Sequence, residues 1–216
     1  EWPSMVKELA NEGEIDPEVA KRHPSLGIAG IVGSIDNDLV GSDMTVGTDS
    51  ALHRILSAID EISSTAASHQ RTFVLEVMGR HCGYLPLMAA VAGGCDYVFI
   101  PEQPPAPGWE QEMIDALEAG LAAGRRESII LVAEGAVDSE GQQITARRVA
   151  DAVEKYSGQQ ARITILGHTQ RGGTPSAYDR WMPTALGYAA AVEVLKATAD
   201  SEPYILGTRK NRIARL

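Results

Sequence analysis

Two carboxylates, Asp36 and Asp38, stand two positions apart in Gly33-Ser34-Ile35-Asp36-Asn37-Asp38, directly after the apolar run Leu26 to Val32. Such a pair suits acid–base chemistry beside a metal, with one carboxylate taking a proton and the other holding a hard cation. If the segment is extended, residues i and i+2 project to one side, so Asp36 and Asp38 converge while Asn37 faces away. A lone acidic pair in a loop is more often a solvated turn, and it is the position after a strand that lifts this one above the ordinary.

Three more clusters follow apolar runs in the same way: Met78-Gly79-Arg80, Glu134-Gly135 and Gly167-His168-Thr169-Gln170-Arg171-Gly172-Gly173. Each has a plain reading beside a functional one. Arg80 can pair with a surface acid, yet the glycine before it also permits close backbone approach to a ligand. His168 can be structural, yet Arg171 three residues on and the flanking glycines make an anion-binding loop. His23, His53, His69 and His81 read as structural.

The elements that must position these groups alternate. Strands are expected at Leu26 to Val32, Thr72 to Val77, Asp96 to Ile100, Ser128 to Ala133 and Arg162 to Leu166. Helices are expected at about Ser4 to Glu12, Pro17 to His23 with Asp16 as N-cap, Thr48 to Ser64, Tyr84 to Ala92, Trp109 to Ala123, Thr145 to Ser157 and Ser176 to Lys196. Short strands without polar alternation, separated by helices, predict an α/β fold: a doubly wound, mostly parallel sheet with helices on both faces. Gln103 to Gly108 reads as a stiff surface loop and Ser139 to Gln142 as an exposed turn. In such sheets ligands bind beyond the carboxyl ends of the strands, so the four clusters share one edge and supply a base, a metal carboxylate, sugar-binding polar groups and an anion clamp. That combination suggests phosphoryl transfer.

With 216 residues, 44% of them hydrophobic, the chain can fill a sizeable core as one large domain or two small ones. Its formal charge of -10 argues against nucleic acid or an anionic membrane as partner, so an anionic ligand needs a local arginine cluster. No apolar run approaches a bilayer span, and a cytoplasmic address is expected. Cys82 and Cys95 have neither CxxC nor zinc-ligand spacing and are expected to be free, reduced and mostly buried. Arg71 and Arg162 stand at the beginnings of their strands, on the edge opposite the cleft. They are either ordinary surface charges or residues that reach a neighbouring subunit's cleft, which would make the protein an obligate oligomer.

At these residues the chain resembles the 6-phosphofructokinase family. The matching segments are Gly-Ser-Ile-Asp-Asn-Asp (33 to 38), Ser-His-Gln-Arg (68 to 71), Glu-Val-Met-Gly-Arg-His-Cys-Gly (76 to 83), Val-Ala-Glu-Gly (132 to 135) and Leu-Gly-His-Thr-Gln-Arg-Gly-Gly-Thr-Pro (166 to 175). The likeness is greatest to the catalytic N-terminal half of the duplicated eukaryotic enzyme, which keeps an intact Asp-Asn-Asp. The resemblance implies that Asp36 is the general base toward the carbon-1 hydroxyl of fructose 6-phosphate and that Asp38 positions Mg2+. It further implies that Ser34 contacts the moving phosphoryl group, that Arg80 offsets transition-state charge, and that Met78, Gly79 and Glu134 hold the sugar. His168 and Arg171 would grip the 6-phosphate, joined by Arg71 and Arg162 from a neighbouring subunit of a homo-oligomer. Gly33 falls where pyrophosphate-using relatives carry lysine, so ATP is the implied donor.

The chain departs from the family in lacking Gly-Gly-Asp-Gly-Ser and the other nucleotide-binding segments expected upstream. It is therefore expected to be a fragment holding the acceptor half, inactive alone, with residues 1–47 and 171–216 as remnants of a nucleotide-binding domain and 48–170 as the sugar-phosphate domain. The alternatives are a non-catalytic sugar-phosphate or effector-binding module and an oligomerisation scaffold. Family members are allosteric enzymes. Asp96 falls where bacterial relatives place an acidic effector-site residue, though a capping or surface acid is the simpler reading.

Overall fold

The computed structural model describes residues 1–69 and 71–216. Gln70 and the side chains of Ala67 and His69 lie outside the described residues, and with them the reading of His69 as structural. The chain forms two compact units. One comprises residues 1–32, 41–43 and 181–216; the other comprises 33–40 and 44–180.

The larger unit is built on a parallel sheet in the order β5-β6-β4-β7, from β4 (Thr72–Val77), β5 (Tyr97–Phe99), β6 (Ser128–Ala133) and β7 (Ala161–Ile165). Every residue of β6 is buried. A strand covered on both faces cannot afford polar alternation, which is why its sequence is an unbroken apolar run. The pleat sorts side chains onto two cores. Ile129 and Leu131 of β6 join Leu75 and Val77 of β4 against α3 (Thr48–His69) and α4 (Tyr84–Gly93). Ile130 and Val132 join Val74 against α5 (Trp109–Ala122) and α6 (Ala146–Ser157). Helices thus cover both faces of this sheet, as the sequence predicts. A further pair of two-residue parallel strands, β2 (Gly33–Ser34) and β3 (Val46–Gly47), joins the acidic loop to the start of α3.

The smaller unit contains α1 (Trp2–Asn11), α2 (Pro17–Arg22) and a sheet in the order β1-β8-β9, from β1 (Ala29–Ile31), β8 (Tyr204–Arg209) and β9 (Arg212–Arg215). β1 pairs in parallel with β8, and β8 turns back antiparallel into β9. The N-cap reading of Asp16 holds, since its carboxylate accepts from the backbone N–H of Glu18 at 2.7 Å. The final long helix, α7 (Ala177–Lys196), begins in the larger unit and ends in the smaller one. Among the described residues, no helix is long and apolar enough to cross a membrane.

Two expectations change. The strand expected from Leu26 to Val32 is paired only over Ala29–Ile31, because β8 meets it over three residues. Leu26 and Ile28 are about half exposed instead of covered. The hairpin of β8 and β9 has no counterpart among the expected strands. Its turn uses Lys210 and Asn211, both with positive φ, in place of the glycine that usually signals such a turn. The turn at Ser139 to Gln142 is exposed as expected, held by Asp138, whose carboxylate accepts from the N–H groups of Glu140 and Gln142. Both cysteines are free but half-buried. Burial pushes the Cys95 thiol up to about 12, with Asp96 adding and Arg125 opposing, which makes it a poor nucleophile.

The first turn of α3 is capped from far along the chain. Asp179 in α7 is buried, accepts from the N–H groups of Gly47 at 2.7 Å and Ser50 at 2.8 Å, and takes the Ser50 hydroxyl at 2.6 Å. These are donors that a helix start cannot satisfy internally. Asp179→Ala is expected to lower unfolding free energy by about 1.5–3 kcal/mol, read as a shifted denaturant midpoint at unchanged m-value.

Candidate active site

The acidic loop is not an extended strand. Ser34 ends β2, the chain bends at Ile35 and Asp36, and Asn37 has a φ of 57°, in the left-handed region. The even spacing that would carry Asp36 and Asp38 to one side while Asn37 points away therefore does not apply, because one left-handed residue between them breaks the alternation. The two acids are associated through Ser34 instead. Its hydroxyl accepts from the backbone N–H of Asp36 at 3.1 Å and donates to Oδ1 of Asp38 at 3.0 Å. Asn37 turns inward, and its Oδ1 accepts from the N–H of Thr45 at 2.9 Å.

The same bend separates the two carboxylates by environment. Asp36 is 7% exposed, whereas Asp38 is exposed. Oδ1 of Asp36 is buried without a hydrogen bond, and Oδ2 lies 4.0 Å from Nε of Arg80. Burial lifts the Asp36 carboxyl above its ordinary range, and the charges of Asp38 and Glu134 add to this, while Arg80 and Arg171 oppose it. An acceptor atom buried without a partner is an exception to the rule that buried polar atoms are paired, and it sets Asp36 apart from a purely structural acid.

Around it stand residues from three other strand ends. The backbone turns abruptly after β4, with Gly79 at φ 145° and Arg80 at φ 50°. The N–H of Arg80 is held by Oε1 of Glu134, which follows β6, at 2.7 Å. A Cβ on Gly135 would collide with the carbonyl of Arg80, so glycine there is required by this close approach. Met78 is buried, and its N–H donates to Oε1 of Gln170 at 3.2 Å. Gln170 sits in the short 3-10 turn Gly167–Arg171 that follows β7, and its Nε2 donates to the carbonyl of Gly167 at 2.9 Å. His168 and Arg171 are exposed on that turn. Ser34, Asp36, Asp38, Met78, Gly79, Arg80, Glu134, His168 and Arg171 therefore all belong to loops of the larger unit, those of the last six following the carboxyl ends of β4, β6 and β7.

Arg71 and Arg162 are not brought there. Phe73 pairs with Arg162 in the parallel register of β4 and β7, so both arginines stand at the amino edge. The six residues of β4 separate Arg71 from Met78 by roughly 20 Å. Arg162 is exposed and Arg71 half-buried. His23, His53 and His81 are exposed. Asp96 is neither a cap nor a surface acid: its largely buried carboxylate accepts from the N–H of Ile129 in β6 at 2.9 Å and pairs with Arg125 at 2.9 Å.

Among the described residues, no group of three His, Cys, Asp or Glu side chains could hold a metal. The exposed carboxylate of Asp38 instead suits a cation that keeps water and ligand phosphates in its shell, the habit of Mg2+. Gln170 and Thr45 went unread in the sequence. Thr45 is fully buried, and its hydroxyl donates to the Ser34 carbonyl at 2.5 Å, anchoring the acidic loop. A polar residue's partner at this separation leaves no local pattern, so no signal nearby could have found either one.

A family model described as phosphofructokinase matches residues 4–195. The chain is 51% identical over all 216 residues to the platelet-type ATP-dependent 6-phosphofructokinase of Rattus norvegicus, covering 27% of that protein. It is 52% identical over the same length to the liver-type enzyme of Bos taurus, covering 28%. Its structure matches phosphofructokinase from Saccharomyces cerevisiae with a TM-score of 0.93 at 43% identity, over 100% of this chain and 28% of that one. The chain thus spans little more than a quarter of the length of these relatives. With the model matching most of the chain and the strand ends carrying the motif residues, the chain belongs to the phosphofructokinase family.

Proposed function

We propose that this chain is part of an ATP-dependent 6-phosphofructokinase of glycolysis, acting in the cytoplasm. In it the chain supplies the acceptor site and general base for transfer of a phosphoryl group from ATP to the carbon-1 hydroxyl of fructose 6-phosphate. The product is fructose 1,6-bisphosphate. The observation that carries this reading is the buried, unpaired oxygen of Asp36 beside Arg80.

A carboxylate whose basicity is raised by burial is suited to take the hydroxyl proton as the oxygen attacks. Arg80, across from it, balances charge that accumulates during transfer, and its own backbone is fixed by Glu134. Ser34, whose hydroxyl organises the loop, would contact the transferred group. Asp38 would hold Mg2+, which when bound neutralises phosphate charge. Met78, Gly79 and Glu134 receive the sugar, and His168 with Arg171 receive the 6-phosphate. The nucleotide would be bound chiefly by parts of the protein outside this chain, with residues 1–47 and 171–216 contributing to its domain and 48–170 forming the sugar-phosphate domain. Arg71 and Arg162 face away from their own cleft, which supports their completing the phosphate site of a neighbouring subunit in a homo-oligomer.

In the intact protein, Asp36→Asn is expected to reduce kcat by a factor on the order of 10²–10⁴ while fructose 6-phosphate still binds, measured by steady-state kinetics beside calorimetry. Loss of turnover with binding retained separates a kinase from a sugar-phosphate binding module; unchanged turnover would remove Asp36 from the chemistry. The same substitution should not destabilise the fold. Because the folded carboxyl holds its proton to higher pH than the unfolded one, the native state loses stability as pH rises through the interval between the two values. Asp36→Asn removes that loss, so its thermal midpoint relative to the unsubstituted protein is expected to rise from acid to neutral pH. Arg80→Ala removes an opposing charge and is expected to move the Asp36 titration, followed by carboxyl-carbon NMR, to higher pH. Asp38→Asn is expected to move it lower.

A further inference from the structure

Arg54 lies in the second turn of α3 and is half-buried. Its Nη2 donates to the carbonyl of Thr174 at 3.3 Å. Its guanidinium lies flat against Gly173, where an added Cβ would collide with Nη2, Cζ and Nε. Nε is buried and has no hydrogen-bond partner. Among the described residues, no carboxylate stands within ion-pair distance of it. A planar cation with one N–H sealed from water and no anion to neutralise it is costly, and a purely structural contact would be served better by a paired or apolar side chain.

What this cation touches is the backbone two and three residues beyond Arg171, in the loop that carries His168. That loop is fixed at its other end by Gln170, which joins it to Met78. Beyond Thr174 it is laced to the same helix, as the Ser176 hydroxyl donates to Asp49 at 2.5 Å and the Ser176 N–H to the Ser50 hydroxyl at 2.9 Å. Gly172-Gly173 is therefore the part of the loop without side chains of its own to hold it, and Gly173 has a φ of 87°, in the left-handed region that glycine favours.

We propose that Arg54 is a positioning residue for the anion-binding loop. Its guanidinium fixes the Gly173-Thr174 backbone, and through it the bearing of Arg171 and His168 on a phosphomonoester, while its unneutralised charge adds to the loop's positive field. The inference rests on the reading that this loop grips the sugar 6-phosphate.

The test is steady-state kinetics of the intact protein. Arg54→Ala is expected to raise KM for fructose 6-phosphate roughly tenfold or more, with KM for ATP and kcat changed no more than about threefold. Arg54→Lys keeps the charge and a donor within reach of Thr174, and is expected to recover most of the loss. An unchanged KM for fructose 6-phosphate in Arg54→Ala would overturn the proposal, as would a parallel rise in both KM values with a lowered thermal midpoint. If Arg54→Ala does not fold, Arg54→Met takes its place. It keeps the apolar stem while removing the donor to Thr174 and the charge, and it must give the same selective rise. If the unsubstituted protein does not turn over fructose 6-phosphate, the function reading falls. Calorimetric binding of inorganic phosphate then decides the inference: weakening by Arg54→Ala supports it, and equal binding overturns it.

Discussion

The hydrogen bonds at the amino end of α3 are the interactions on which the candidate site depends. Thr45 and Thr48 both donate to the carbonyl of Ser34, at 2.5 and 3.0 Å, and so hold the acidic loop from one side. Asp179 caps the first turn from α7, and Arg54 one turn further on supports the loop that carries His168 and Arg171. One helix end is thereby tied to both the acidic loop and the loop of His168 and Arg171. A helix start has donors to spare and a positive dipole, so it attracts carboxylates such as Asp179, whereas the Ser34 carbonyl is held by the two threonine hydroxyls. The candidate site lies largely in loops whose shape is set by a few buried polar contacts.

Asp36 is a destabilising element that this framework tolerates. A buried carboxylate with an unsatisfied oxygen costs free energy that a purely structural residue would avoid. Asp38, two residues away, is solvated. A single left-handed residue, Asn37, separates the two environments, and its own amide oxygen is consumed in holding the bend. Unequal surroundings are what allow one carboxylate to gain basicity while the other remains open to solvent.

The sequence made much of this architecture readable, but unevenly. The bounds of β4 and β6 were legible to the residue because buried parallel strands are written as short runs dominated by apolar residues, bounded at β6 by Glu127 and Glu134 and opened at β4 by Thr72 after Arg71. The acid pair was legible in position but not in geometry, since periodicity assumes an extended chain and φ at Asn37 is not encoded in spacing. Asp179 and Gln170 were not legible in role. Their partners lie 132 and 92 residues away, and a polar side chain that satisfies a distant backbone group leaves no local pattern. The turn between β8 and β9 escaped for the opposite reason: the local signal exists, but Lys210 and Asn211 occupy positions where glycine is the usual sign.

The two edges of the central sheet divide the arginines in a way that strand polarity alone explains. In a parallel sheet every strand presents its carboxyl end to one side, so residues following β4, β6 and β7 gather whether or not they are near in sequence. Arg80 and Arg171 follow strands and contribute opposing charge at Asp36. Arg71 and Arg162 precede or open the same strands, and no side chain spans a strand of five or six residues to reach the other edge. A chain that places cations at both ends of the same strands has either spent half of them on solvent or reserved them for a surface it does not itself contain. The parallel order of the sheet is therefore what would turn a site of one chain into a site shared between chains.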